Sequence, residues 1–342
     1  GDRAAARLHR IVALRGREAR QGLDAGLAPV GRERELALLE EKWLRSRAGA
    51  GHAVLVSGEP GIGKSRVVQS VEGLVDRSVG TRVLTAQCSP YHQERSLFPI
   101  AGMVQRDLLA LETDKTEAER VEALERLLRE RGWNLAETMP LLGPLLSLNV
   151  SYPPLQLAAE RQQQLLLEHL VALLLETADI SPVLLVVEDL HWADDGTLRL
   201  IGMLIDQLPT SRILLLLTHR PEFLAPWAAR THVSSLAMDR LPEREAGLIV
   251  SRVAGGSELP AQVVRRIIER ADGVPLFVEE LTKALLEAGA GAADAGAAEI
   301  IVPATLQDSL AARLDRLGPA KRLAQIAATI GREFSRSLLA AV

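Results

Sequence analysis

The chain has 342 residues, enough for two or three domains, and its 47% hydrophobic and 25% charged residues are those of an ordinary soluble globular protein. A net charge of −4 argues against a nucleic-acid surface spread over the whole chain, and the single cysteine, Cys88, excludes an internal disulfide framework and suits a reducing cytoplasm. No apolar run approaches the ~18 residues of a membrane span.

Residues 1–28 are rich in Arg and Ala with little apolar periodicity, and are expected to be a linker or the tail of a preceding domain. Arg3, Arg7 and Arg10 are followed by no apolar region, so this is not a secretory signal. The start at Gly1 rather than Met is expected either of a trimmed chain or of a piece of a longer polypeptide. Val30-Gly31-Arg32-Glu33-Arg34-Glu35-Leu36 opens a helix to about Arg47, with Leu36, Leu39, Trp43 and Leu44 at helical spacing. Residues 53–57 are apolar and strand-like, 66–76 helix-compatible, and 82–87 a second strand. Residues 97–111 and 117–131 read as helices with a polar break between them. Residues 135–154 hold Pro140, Pro144, Pro153 and Pro154 and are expected to be irregular or broken helix. A long helix covers about 158–177. Residues 183–187 and 213–217 are short continuous apolar runs, as in strands buried on both faces, with a helix over about 197–208 between them and a weaker strand at 232–236. After Leu241-Pro242 come three helical stretches, 243–254, 260–271 and 276–288. A Gly/Ala-rich linker at 289–298 and helices at 303–317 and 320–330 follow. The end at Val342 is abrupt for a domain that has only begun.

Between the first strand and its helix lies Gly58-Glu59-Pro60-Gly61-Ile62-Gly63-Lys64-Ser65, the pattern G-x-x-x-x-G-K-[ST] in the context that a phosphate-binding loop requires. Glycines at 58, 61 and 63 allow positive φ and close approach of backbone to an anion. Successive N–H groups and the helix N-terminus then point at phosphates. Lys64 is expected to reach the β/γ oxygens, the Ser65 hydroxyl to ligate Mg²⁺, and Arg66 to follow at the helix start. Only five of the 40 basic residues are Lys, so a compact ammonium at this position, where a planar guanidinium fits badly, reads as a choice of chemistry.

Strands alternating with helices predict a parallel, doubly wound sheet, whose ligands bind outside the carboxyl ends of the strands. That rule brings the loop, Glu188-Asp189 and Thr218/Arg220 to one edge. Nucleoside triphosphate hydrolysis needs one carboxylate at a buried strand tip for Mg²⁺ and a second to orient water. Counting the apolar run puts Glu188 at the metal position and Asp189 at the water-activating one; a one-residue slip moves Asp189 to the metal. Asp194 and Asp195 are a further metal option, with a helix N-cap preferred for one of them. Cys88 is expected to be a small buried hydrophobe, and His191 and His219 to have supporting roles.

Val186-Val187-Glu188-Asp189-Leu190-His191-Trp192-Ala193-Asp194 resembles the Walker B segment of the signal-transduction ATPases with numerous domains. More narrowly, it resembles the ATPase module joined to class III adenylate/guanylate cyclases or to LuxR/maltose-regulator-type activators. Val30 to Leu36 is similar to that family's opening motif, which implies that Val30, Gly31 and Arg32 lie against adenine. Leu217-Thr218-His219-Arg220-Pro221-Glu222-Phe223 resembles its sensor strand, which implies that Arg220 reads the γ-phosphate. Ala271-Asp272-Gly273-Val274-Pro275-Leu276-Phe277 resembles its G-x-P motif, which implies that Pro275 closes over the base. The match runs from about Pro29 to the C-terminus and departs from the family in having Glu rather than Asp at 188. Gly16 to Arg20 resembles the joint after a cyclase domain.

The expected architecture is therefore an AAA-like P-loop domain at 29–238, a helical domain with its linker at 239–298 and the start of a winged-helix domain at 299–342. The expected function is an ATP/ADP- and Mg²⁺-dependent cytoplasmic switch with slow hydrolysis. Its output passes to a flanking cyclase, helical repeats or a DNA-binding domain, and nucleotide-dependent self-association is admitted. The alternatives are a small-molecule kinase, a hexameric motor, or a DNA-binding regulator using Arg313, Arg316, Lys321 and Arg322. That cluster reads more simply as a solvated face, and direct nucleic-acid binding by this segment is not expected.

Overall fold

A computed structural model describes residues 29–76, 80–109, 116–256, 259–287, 314 and 320–330. The expected N-terminal tail, the linker at 289–298 and most of the winged-helix segment lie outside these residues. The elements run α1 (Glu33–Arg47), β1 (His52–Ser57), α2 (Lys64–Asp76), β2 (Arg82–Gln87), α3 (Phe98–Met103), α4 (Glu117–Glu130), α5 (Leu135–Leu145) and α6 (Ala159–Ile180). They continue with β3 (Val183–Glu188), α7 (Asp195–Gln207), β4 (Ile213–His219), β5 (Val233–Ala237), α8 (Glu243–Ala254), α9 (Ala261–Ala271), α10 (Pro275–Glu287) and α11 (Ala320–Ile330). Among the described residues no helix is long and apolar enough to cross a membrane.

The sheet is parallel throughout, in the order β2-β3-β4-β1-β5. Every residue of β3 and β4 is buried, as their unbroken apolar runs predicted. Because side chains alternate across a strand, each run feeds two cores. Leu184, Val186, Leu214 and Leu216 pack with Leu39 and Trp43 of α1 and Val67 and Val71 of α2. Leu185, Val187, Leu215 and Leu217 pack on the other face with residues of α3 to α7. The weak β5 pairs with β1 at the edge of the sheet, and of its residues only Val233 is buried, the others being partly or fully exposed. In α1, Leu44 departs from expectation: Leu39 and Trp43 are buried, while Leu44 stands 55% exposed.

The proline-rich stretch is a second departure, because residues 135–145 are helical with Pro140 and Pro144 inside α5. An interior proline costs about 3 kcal/mol. Burying Met139, Leu141 and Leu142 returns roughly 1.5–3 kcal/mol each. Pro140 lies at the middle of the helix and Pro144 in its last turn, and each removes one donor from the helical ladder. Asn134 caps the start, its side chain accepting from the Ala136 amide at 3.1 Å. A capping box of Thr116 and Glu119 opens α4. The helix predicted over 97–111 is α3 continued by a π-helical turn, Val104–Leu108.

A third core belongs to α8, α9 and α10, built on Leu241, Ala246, Ile249, Val250, Ile267, Val278 and Leu281, with Val30 packed at its margin. The all-helical segment after residue 241 therefore buries its own apolar faces against one another. Leu241 is tied into this segment by its amide, which donates to Gly273 O between α9 and α10 at 2.8 Å.

Truncating Leu142, 1% exposed, to Ala is expected to cost about 2–5 kcal/mol in urea unfolding. Leu44→Ala should change stability by less than about 0.5 kcal/mol. Equal effects would contradict the assignment of α5 to the core.

Candidate functional site

The parallel register ends four strands together: Ser57 of β1 is opposite His219 of β4, Val187 of β3 is opposite Leu217 of β4, and Gln87 of β2 is opposite Glu188 of β3. At this edge the loop 58–63 leaves β1 and enters α2 at Lys64. Gly61 and Gly63 have φ of +80° and +102°, as the loop requires. Gly58 does not use positive φ. Its constraint is space, since a Cβ there would lie 2.7 Å from Ile62 and 3.2 Å from Met238.

The Lys64 ammonium donates to Gly58 O at 2.6 Å and Glu59 O at 3.1 Å, folding back over the loop. Burial lowers its pKa; the Asp189 carboxylate opposes this shift and the Arg220 guanidinium adds to it. One residue on, the Ser65 hydroxyl donates to Glu188 Oε2 at 2.6 Å. The buried carboxylate at the tip of β3 therefore faces the hydroxyl at the start of α2. Among the described residues no cluster of three or more His, Cys, Asp or Glu could hold a metal by itself. The Ser65–Glu188 pair fits Mg²⁺ bound by few protein groups and completed by phosphates.

Asp189 follows with φ 59° and ψ 44°, a left-handed backbone that costs a non-glycine residue roughly 1–2 kcal/mol. Its amide donates to Thr218 Oγ1 of β4 at 3.0 Å, which fixes this turn to the neighbouring strand. The left-handed turn separates the two adjacent acids, so that Glu188 stays in the strand while Asp189 leaves it. Asp194 is committed elsewhere: it caps α7, accepting from the Thr197 amide and hydroxyl at 2.9 and 2.6 Å and from the Leu97 amide at 3.0 Å. The Cys88 thiol is fully buried and pushed up to about 12 by that burial, with Asp194 and Asp189 adding to it.

Arg220 sits past the end of β4 with its guanidinium 5.1 Å from the centre of the Trp192 ring. Among the described residues that guanidinium makes no hydrogen bond or ion pair, so its donors are unspent. His191 packs against Trp192, ring centroids 4.3 Å apart, and both of its ring nitrogens are buried without a partner. Burial lowers the His191 pKa; Asp189 opposes this, and Arg220 and Lys64 reinforce it. His219 is 6% exposed and its Nδ1 lies 2.7 Å from Arg220 O.

Of the remaining predicted residues, Arg32 meets the loop directly. Arg32 is 4% exposed, pairs with Glu35 at 2.9 Å and donates to Ile62 O and Asp239 O at 3.3 and 2.7 Å. Its guanidinium is thus spent on bracing the loop. Gly31 lies against α8, where a Cβ would come within 2.8 Å of Glu245. Pro275 is the buried first residue of α10. The next residue touches the loop directly, the Leu276 amide donating to Gly61 O at 3.2 Å. Two ion-pair links accompany it. Arg66 pairs with Glu279, and Arg240 bridges Glu59, at 2.8 Å, to Asp272. Sequence reading missed Glu279, Arg240 and Asp272 because their partners are 32 to 213 residues away and no local pattern marks them.

The description of an AAA ATPase domain (AAA_16) matches residues 28–217. An uncharacterized protein of Rhizobium meliloti (strain 1021) is 26% identical in a match 333 residues long that covers 92% of this chain. The chain spans about 30% of the length of that relative. Among solved structures, a Walker-type ATPase of Pyrococcus abyssi has a TM-score of 0.44 at 14% identity, covering 88% of this chain and 74% of that one. Cdc6p from Pyrobaculum aerophilum has a TM-score of 0.47 at 16% identity, over 78% of this chain and 64% of that one. A signal transduction ATPase with numerous domains (STAND) from Pyrococcus horikoshii, with a tetratricopeptide repeat sensor, has 0.42 at 11%, over 84% and 32%.

Thr218→Val leaves the Asp189 amide without its acceptor and is expected to lower stability by about 1–3 kcal/mol. Thr218→Ser should restore most of it. Denaturant unfolding of the two variants decides; equal losses would show that the hydroxyl does not hold the turn.

Proposed function

The chain belongs to the AAA ATPase domain family, and from that premise we propose that it is an ATP-binding, Mg²⁺-dependent and slowly hydrolysing switch module of a multidomain cytoplasmic signalling protein. The observation that carries this reading is the contact between the helical unit and the phosphate-binding loop, Leu276 N–H to Gly61 O. A loop whose carbonyl is held by another unit reports its occupancy to that unit.

In this reading the loop amides of 58–63 and the N-terminus of α2 receive the phosphates, and Lys64 exchanges the carbonyls of Gly58 and Glu59 for phosphate oxygens. Ser65 and Glu188 would hold Mg²⁺, which supplies charge neutralisation on the phosphate oxygens. Asp189 orients a water, and the unspent donors of Arg220 take the γ-phosphate. Val30, Gly31 and Pro275 would contact the base. Arg32 acts on the nucleotide through the loop that it braces.

Loss of the γ-phosphate removes a partner of Arg220, so ATP and ADP favour different positions of the helical unit. The links Arg66–Glu279 and Glu59–Arg240–Asp272 are the contacts that such a movement breaks or remakes. The output would be an attached cyclase, helical-repeat or DNA-binding domain, and nucleotide-dependent self-association would be a second route. The domain limits 29–238 for the ATPase part and 239–298 for the helical part belong to this proposal, as does the winged-helix start at 299–342.

Titration calorimetry tests the binding: Lys64→Ala is expected to weaken ATP binding by at least about tenfold. Unchanged affinity would remove the loop from the site. Hydrogen exchange tests the switch, since the Leu276 amide should exchange at different rates with ATP and with ADP. Identical exchange in both would overturn the switch while sparing ATP binding. Turnover should fall in both Glu188→Gln and Asp189→Asn, and wild-type turnover in both would overturn the carboxylate roles.

A further inference from the structure

The charges of Arg220, Asp189, Glu222 and Glu188 all act on the Lys64 ammonium, yet among the described residues the Arg220 guanidinium pairs with none of these acids. What touches its guanidinium is the face of Trp192, at 5.1 Å. Trp192 is itself braced by the tilted ring of His191 at 4.3 Å. The two aromatic residues occupy a short 3-10 turn, Leu190–Trp192, that begins at the left-handed Asp189. The same turn that sends Asp189 out of β3 therefore presents an aromatic face to the end of β4.

An aromatic face and a carboxylate hold a guanidinium in different ways. A carboxylate takes two of its five donors in a bidentate pair and neutralises its charge. An aromatic face attracts the cation through the ring quadrupole and leaves the in-plane N–H donors free. A residue meant to detect an incoming anion needs position without neutralisation. We propose that Trp192, backed by His191, is a positioning residue that holds Arg220 at the site with its donors free, so that Trp192 sets how strongly ATP is preferred over ADP. This rests on the reading of Arg220 as the group that meets the γ-phosphate. It also gives the His191 ring a use that needs neither of its unpartnered nitrogens: the ring is a plate for the indole.

The test is calorimetric binding of ATP and of ADP, each with Mg²⁺, to the full chain. Arg220→Ala should lower the ratio of ATP to ADP affinity. Trp192→Leu should lower the same ratio about three- to tenfold while leaving ADP affinity within about twofold. Trp192→Met, of similar bulk and without a ring, should do the same and serves if the Leu variant does not fold. Trp192→Phe and His191→Phe, which keep a ring, should preserve the ratio within about twofold. In an Arg220→Ala background, Trp192→Leu should have no further effect on the ratio.

If Arg220→Ala lowers the ratio and Trp192→Leu or Trp192→Met does not, the positioning role is overturned and the γ-phosphate reading stands. If Arg220→Ala itself leaves the ratio unchanged, both fall. Additive effects of the two substitutions, or equal losses of ATP and ADP affinity in Trp192→Leu, would show that Trp192 acts on the fold rather than through Arg220.

Discussion

The hydrogen bond from the Ser65 hydroxyl to Glu188, 2.6 Å long, joins the first turn of α2 to the tip of β3, residues 123 positions apart in the chain. It exists because β1, β4 and β3 are parallel and in a register that ends them together. A parallel sheet has all its carboxyl ends on one side, so every strand-to-helix turn on that side can contribute to one site. The cost of holding Glu188 in a largely buried position is offset by that hydroxyl. Shifting β3 by one residue against β4 would carry Leu185 and Val187 to the opposite face and withdraw Glu188 from Ser65. The core and the site therefore depend on the same register.

From that edge the site is built in two layers. The inner layer is local turn chemistry: the left-handed Asp189, held by Thr218, sets two adjacent carboxylates on different paths and starts the turn that carries His191 and Trp192. The outer layer is the helical unit, which has its own core and reaches the loop through one backbone hydrogen bond and two ion-pair links. The Arg240 links are largely solvent-exposed, at 46% for Arg240 and 75% for Asp272, and such pairs contribute little to stability. A contact set of this strength can hold one arrangement without making another inaccessible. Arg32 belongs to both layers, since it ties Ile62 of the loop to Asp239 at the edge of the helical unit.

Where reading and structure part, the cause is tertiary. Prolines at 140 and 144 signal a break, but the apolar residues around them are worth more buried than the helix loses at two positions. Leu44 has the spacing of a core residue and lies just off the face that α1 turns to the sheet. Arg32 has the chemistry of a ligand contact and is spent on backbone carbonyls. Gly58 has the look of a positive-φ glycine and is there because Ile62 and Met238 leave no room for a side chain.

The sequence by itself determined the parallel sheet, the phosphate-binding loop, the acidic strand tip and the change to helices after residue 241. Each of these is written in residues that are neighbours along the chain, as an unbroken apolar run, a fixed glycine spacing or a helical period. Only the tertiary structure decided that Ser65 meets Glu188, that Thr218 anchors Asp189, that Arg220 rests on Trp192, and that Glu59 and Arg66 are held by Arg240 and Glu279. Those partners are separated by 28 to 213 residues, and which of them meet depends on where the packed sheet returns the chain. Periodicity encodes which face of an element is buried, but not which distant side chain it will find there.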